Sequence, residues 1–136
     1  LQGGLAFWNA GLGAVHALAY SLGGYLGLAH GECNALLFEH VVRFNFESAP
    51  ERYRQIGETL GIDMRGLGER ECSSRIADAL NALRNRLGIV DSLAARGVRT
   101  ADISALAVHA LDDACLVTNP RRANNADLQT IYGEAL

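Results

Sequence analysis

The stretch Ala10-Gly11-Leu12-Gly13-Ala14-Val15-His16-Ala17-Leu18-Ala19-Tyr20-Ser21-Leu22-Gly23-Gly24-Tyr25-Leu26-Gly27-Leu28-Ala29 decides how this chain folds. As one helix it is long enough to cross a bilayer. His16 inside it, glycines at 11, 13, 23, 24 and 27, and the lack of flanking arginine anchors argue against that. The run is uncharged well beyond these limits. Counting histidine as neutral, no residue from Leu1 to Gly31 is charged, and Glu32 is the first acid. No basic segment precedes it in this sequence, so a secretory signal is not expected. The expectation is a segment walled in by other protein rather than lipid, and by more protein than this chain supplies. No membrane partner is expected.

The rest of the chain reads as successive helices, with turn signals between segments of helical period and no sustained β alternation. His30 to Phe46 carries Leu36, Leu37, Val41 and Phe44 on one stripe. Ser48-Ala49-Pro50-Glu51 reads as a serine cap, a first-turn proline and an acid three residues after the cap; that helix ends near Gly61. Glu69 to Leu87 places Ile76, Leu80, Leu83 and Leu87 on one face, and Gly88 ends it. Thr100 is read as the cap of a helix with Ile103, Leu106 and Leu111 inward, followed by the loop Thr118-Asn119-Pro120-Arg121. Asp127 to Leu136 closes the chain as a last helix. The fold class is all-α, one domain over residues 1–136.

The 136 residues are 49% hydrophobic and 20% charged, enough for one ordinary core and unlike a disordered segment. Twelve basic against fifteen acidic residues give a charge of −3, which does not favour nucleic acid as a partner. Every basic residue is arginine, read as a lineage bias. Cys33, Cys72 and Cys115 are too widely spaced for a C-x-x-C site or a disulfide framework, so a reducing cytoplasm is the expected setting.

Histidines lead the candidates for chemistry, since imidazole both ligates metals and carries protons near neutral pH. His16 and His30 lie fourteen positions apart. If Ala14 to Gly24 is helical and the chain turns at Gly27 to Gly31, their rings can converge. The alternative is a pair of satisfied core histidines. His40 beside Glu39, and His109 before Asp112-Asp113, read as partly exposed or hydrogen-bonded histidines.

Asn9-Ala10-Gly11-Leu12-Gly13-Ala14-Val15-His16-Ala17-Leu18-Ala19 resembles the signature of the iron-containing (group III) alcohol dehydrogenases. So does Leu28-Ala29-His30-Gly31-Glu32-Cys33-Asn34-Ala35-Leu36-Leu37, followed by His40-Val41-Val42-Arg43-Phe44-Asn45. Asp113-Ala114-Cys115 and Thr118-Asn119-Pro120-Arg121 match the family's C-terminal pattern, and the resemblance covers essentially the whole chain. It implies the helical C-terminal domain of the iron-dependent alcohol dehydrogenase and dehydroquinate synthase-like architecture. The implied enzyme is NAD(P)-dependent and interconverts alcohols with aldehydes or ketones. It holds Fe²⁺ or Zn²⁺ through an upstream aspartate and histidine together with His16 and His30. The cation polarises the substrate oxygen, and the nicotinamide carries the hydride.

Two departures from the family pattern matter. Four residues after His16 the family commonly has another histidine, and here stands Tyr20, a donor or relay but a poor base at neutral pH. Tyr20 is the candidate catalytic residue, the alternative being a packed aromatic with a bonded hydroxyl. Secondly, no strand precedes Gly11-x-Gly13, so a dinucleotide fingerprint is rejected. The expectation is therefore a C-terminal part of a longer enzyme. The N-terminal domain that binds NAD or NADP is absent, and the piece is inactive alone.

Cys115 and Phe7 are weak candidates for lining the substrate pocket; Phe7 and Trp8 are expected to pack rather than face a cleft. Cys33 is read as packing. Arg121 and Arg122 are read as exposed residues needing no function. Expected partners are a small alcohol or aldehyde, the N-terminal domain and further copies of the chain in a homo-oligomer. A non-catalytic helical assembly domain with a vestigial metal site is the alternative.

Overall fold

A computed structural model describes all residues, Leu1–Leu136, as seven α-helices with no strand. They are α1 (Gln2–Ala10), α2 (Ala14–Leu26), α3 (His30–Phe46), α4 (Pro50–Thr59), α5 (Glu69–Arg86), α6 (Ile103–Leu111) and α7 (Asn125–Glu134). One-turn 3₁₀ segments precede α6 (Thr100–Asp102) and follow it (Ala114–Thr118). No helix is long and apolar enough to cross a membrane. Gly27, in the left-handed region at φ 67°, cuts the long apolar run after α2, which is why it never becomes one span.

The main core forms where α2, α3, α6 and α7 meet. Leu18 and Leu22 of α2 pack there with Leu36, Leu37, Leu106, Leu128 and Tyr132, all buried. The Tyr132 hydroxyl donates to the Leu18 carbonyl at 2.7 Å, so even the polar end of this large side chain is satisfied inside the core. Val42, Phe46, Met64, Cys72 and Ile76 make a smaller core between α3 and α5. Gly57 of α4 lies against it. A Cβ there would overlap the terminal methyl of Met64, which would have to swing away, and would press on Ile76 at 3.2 Å.

Several expectations about helix ends and faces are corrected. Ser48 does not cap α4. Ala49 occupies the N-cap without a side-chain bond, and Pro50 starts the helix. Thr100 does not cap α6; the carboxylate of Asp102 instead accepts from the Arg99 backbone N–H at 2.9 Å and from its guanidinium. The α5 stripe buries only its first half. Ile76 is buried, but Leu83 and Leu87 are exposed because no element covers the end of that helix. On α6, Ala107 and Ala110 face inward and Leu111 outward. Arg121 is also a working residue, donating to the Phe44 carbonyl at 2.9 Å and lying 4.3 Å from the Phe44 ring centroid.

His40 sits between α3, α5 and α7, within 3.5 Å of Glu39 and 3.8 Å of Glu134. Burial, then the positive charges of Arg84 and Arg43, push its pKa down to about 4. The folded state thus keeps His40 neutral, whereas the unfolded chain protonates it near its ordinary value. Its contribution is complete above pH 6.5 and is lost as pH falls towards 4. Burial raises the pKa of Glu39, which works in the opposite direction. We expect His40→Gln to remove up to about 2–3 kcal/mol of acid-dependent destabilisation. Urea unfolding of both proteins at pH 7, 5.5 and 4 measures it.

Candidate metal centre

The site is built on two helix starts. His16 lies in the first turn of α2 and His30 opens α3, and the turn at Gly27 folds one back on the other. His16 Nδ1 and His30 Nε2 stand 3.0 Å apart, so the two rings converge as their spacing suggested. Tyr20, one turn along α2 from His16, stacks on His30 with centroids 4.5 Å apart and planes 15° from parallel. The ring is half-exposed rather than packed in the core.

The start of α2 is held from a distance. The Ala14 N–H donates to Asn119 Oδ1 at 3.0 Å, a helix cap supplied by a residue 105 positions away. Asn119 and Asn45 exchange amide hydrogen bonds of 2.9 and 2.8 Å, and Asn119 also donates to the Arg121 carbonyl at 2.6 Å. Thr118 donates to the Leu12 carbonyl. This contact explains the Gly11-x-Gly13 pattern. Gly11 has φ 74° against the Thr118 side chain, and a Cβ on Gly13 would lie 2.9 Å from Asn119 Oδ1. The glycines admit a loop of the same chain.

Burial first, then the neighbouring His30, lower the pKa of His16, with Asp113 opposing. A neutral imidazole with its lone pair available is the form a metal needs. Two imidazoles sharing a first-row cation at about 2.0–2.1 Å each stand about 3.0–3.4 Å apart, depending on the coordination angle. The observed separation is that of a direct hydrogen bond between the two ring nitrogens, and it is also compatible with such an ion between them. No third His, Cys, Asp or Glu converges with them.

Asn34, one turn after His30, was not anticipated as part of the site. Its Nδ2 lies 2.9 Å from His30 Nε2 and donates to the His30 carbonyl at 2.9 Å, while its buried Oδ1 has no partner. The spacing i, i+4 from His30 was the signal that could have found it. Asp113 was passed over too. It accepts from the Cys115 N–H at 2.7 Å and acts electrostatically on His16.

The remaining candidates separate. Burial and a hydrogen bond with Asp113 push the Cys115 thiol up to about 11, so it is no nucleophile at neutral pH. Cys33 is fully buried, as expected for packing. Phe7 and Trp8 are exposed on α1, which buries none of its residues; the expectation that they pack is not met within this chain.

The chain is an all-helical domain in which two histidines at helix starts converge. The profile of the Fe-containing alcohol dehydrogenase family, C-terminal, matches residues 1–136, and the chain belongs to that family. It is 40% identical over 132 residues to lactaldehyde reductase of Escherichia coli K12, covering 97% of this chain and 35% of that protein. It is 38% identical over 133 residues to the NAD-dependent methanol dehydrogenase of Bacillus methanolicus, covering 98% and 35%. The solved alcohol dehydrogenase from Oenococcus oeni superimposes with a TM-score of 0.92 at 34% identity, covering 98% of this chain and 35% of that one. The chain thus spans about a third of the length of the curated relatives it matches.

Replacing Asn119 by alanine strips the cap from Ala14 and removes both amide bonds it shares with Asn45. We expect a loss of about 2–3 kcal/mol, with the His16 and His30 ring signals shifting together. Denaturant unfolding and histidine NMR of Asn119→Ala measure the two effects.

Proposed function

We propose that this chain is the metal-holding helical part of an NAD(P)-dependent alcohol dehydrogenase that interconverts alcohols with aldehydes or ketones. The observation that carries the reading is the 3.0 Å convergence of His16 and His30 in a chain of the Fe-containing alcohol dehydrogenase family. His16 and His30 are assigned as two ligands of Fe²⁺; imidazole also suits zinc, but the family description names iron. The other ligands and the dinucleotide site are assigned to protein outside residues 1–136. Bound there, the cation supplies Lewis acidity to the alcohol or carbonyl oxygen.

The chain's own side chains position and protect. His16 and His30 bring one ring nitrogen each to the same point, and Tyr20 fixes the plane of the His30 ring by stacking. The Tyr20 hydroxyl, at the mouth of the site, is assigned to relay the substrate proton. Cys115 remains a neutral thiol and serves as wall. Phe7, exposed on α1, lies on the surface assigned to the nucleotide-binding domain, and the same apolar surface favours self-association. With two ligands, residues 1–136 alone hold metal weakly and turn nothing over.

Anaerobic calorimetric titration with Fe²⁺ and Zn²⁺ tests the assignment. We expect 1:1 binding that weakens at least tenfold in His16→Ala, with the helical circular dichroism unchanged. In the longer enzyme, His16→Ala or His30→Ala lowers metal content and turnover together. Full activity with metal retained overturns the reading. The convergence of only two ligating groups favours one second reading, an assembly domain with a vestigial site. That reading predicts an oligomer in light scattering whose melting curve EDTA leaves unmoved.

A further inference from the structure

Beside the histidine pair a groove of about 530 Å³ runs between α2 and the start of α6. We propose that it binds the non-reacting part of the substrate and selects alcohols that carry an aromatic ring. The inference rests on the reading above for the direction in which the ligand lies.

Three features of the lining point to a flat apolar group. Tyr20 and Tyr25 are both half-exposed and form one wall. Gly24, Ala101 and Ala105 are small, which leaves the slot open. Ser21 Oγ is already donating to the Leu106 carbonyl at 2.9 Å, which leaves the tyrosine hydroxyls and His109 as the uncommitted polar groups of the lining. The one acid, Asp102, is held by the Arg99 guanidinium at 2.9 and 3.1 Å, so the groove does not select a cation. Its volume lies within the usual range for small-molecule sites.

Continuity fixes the orientation. Tyr20 lines the groove and also stacks on His30, so it is the shared wall between the slot and the histidine pair. Neither histidine lines the groove itself, so a ring seated against the tyrosines would reach past the edge of Tyr20 to bring its hydroxymethyl carbon to His16 and His30. His109 offers a single imidazole at the rim for a polar ring substituent.

Amide NMR of the 136-residue chain with benzyl alcohol as probe, and 1-propanol for comparison, tests the proposal. We expect saturable shifts at Gly24, Ala101, Ala105 and His109 with benzyl alcohol, and at least tenfold weaker binding of 1-propanol. Ala105→Trp fills the slot and weakens benzyl alcohol at least tenfold. Gly24→Leu does the same from the other wall, at a position where an added Cβ meets nothing within 4 Å. His16→Ala leaves the groove shifts in place, so failure of the metal assignment and failure of the groove are told apart. Shifts scattered over the surface, or unmoved by both filling variants, overturn the proposal.

Discussion

The side-chain amides of Asn119 and Asn45 face each other in a closed pair, and the remaining capacity of Asn119 Oδ1 takes the Ala14 N–H. The first turn of a helix leaves donors that the helix itself cannot satisfy, and Gly13, in extended conformation at the N-cap, has no side chain to offer. The cap therefore comes from another part of the chain. Because the partners are half-buried, a slip of α2 by one residue would strand several polar groups at once. That sets where His16 sits. The orientation of His30 follows from the same packing, since α2 and α3 share the main core and are joined by only a short glycine turn. The geometry of the histidine pair is thus a consequence of a polar tie to a residue far along the sequence.

The uncharged opening has an electrostatic counterpart at this site. Two imidazoles 3.0 Å apart resist being protonated together, and burial adds to that resistance at His16. Asp113 is the acid that acts on His16, and it is also engaged with the Cys115 backbone and thiol. A site of this kind has ring nitrogens close together and little compensating charge. Those conditions favour a divalent cation over a second proton. The stacked Tyr20 completes the arrangement without adding charge.

Helices were legible because their apolar spacing and glycine stops act locally: Gly61 and Gly88 stand at positive φ just beyond α4 and α5. The convergence of His16 and His30 was legible for the same reason, two helix starts around a glycine turn. The caps were less so. Ser48 and Thr100 have suitable side chains, yet Pro50 and the Arg99–Asp102 pair set those boundaries instead. Leu83 and Leu87 fit a helical stripe, but a stripe says which face is apolar and not whether anything covers it. Asn119 could not be found from spacing, because its partners lie 105 and 74 residues away. Arg121 was misjudged for the same reason, its contacts with Phe44 being tertiary.

The apolar surface left exposed follows a pattern. On α1, Leu5, Phe7 and Trp8 all face solvent, and a nine-residue helix with no buried side chain gains little from propensity alone. Its one firm tie is at its end, where Gly11 meets Thr118 and so joins the clamp that caps α2. The lack of charge up to Gly31 has a direct physical cause in its inner part. Ala14, Leu18, Ala19 and Leu22 pack against α3, α6 and α7, whereas the side chains of α1 stay exposed in this chain. An acid or an arginine at one of those four core positions would be desolvated without a partner.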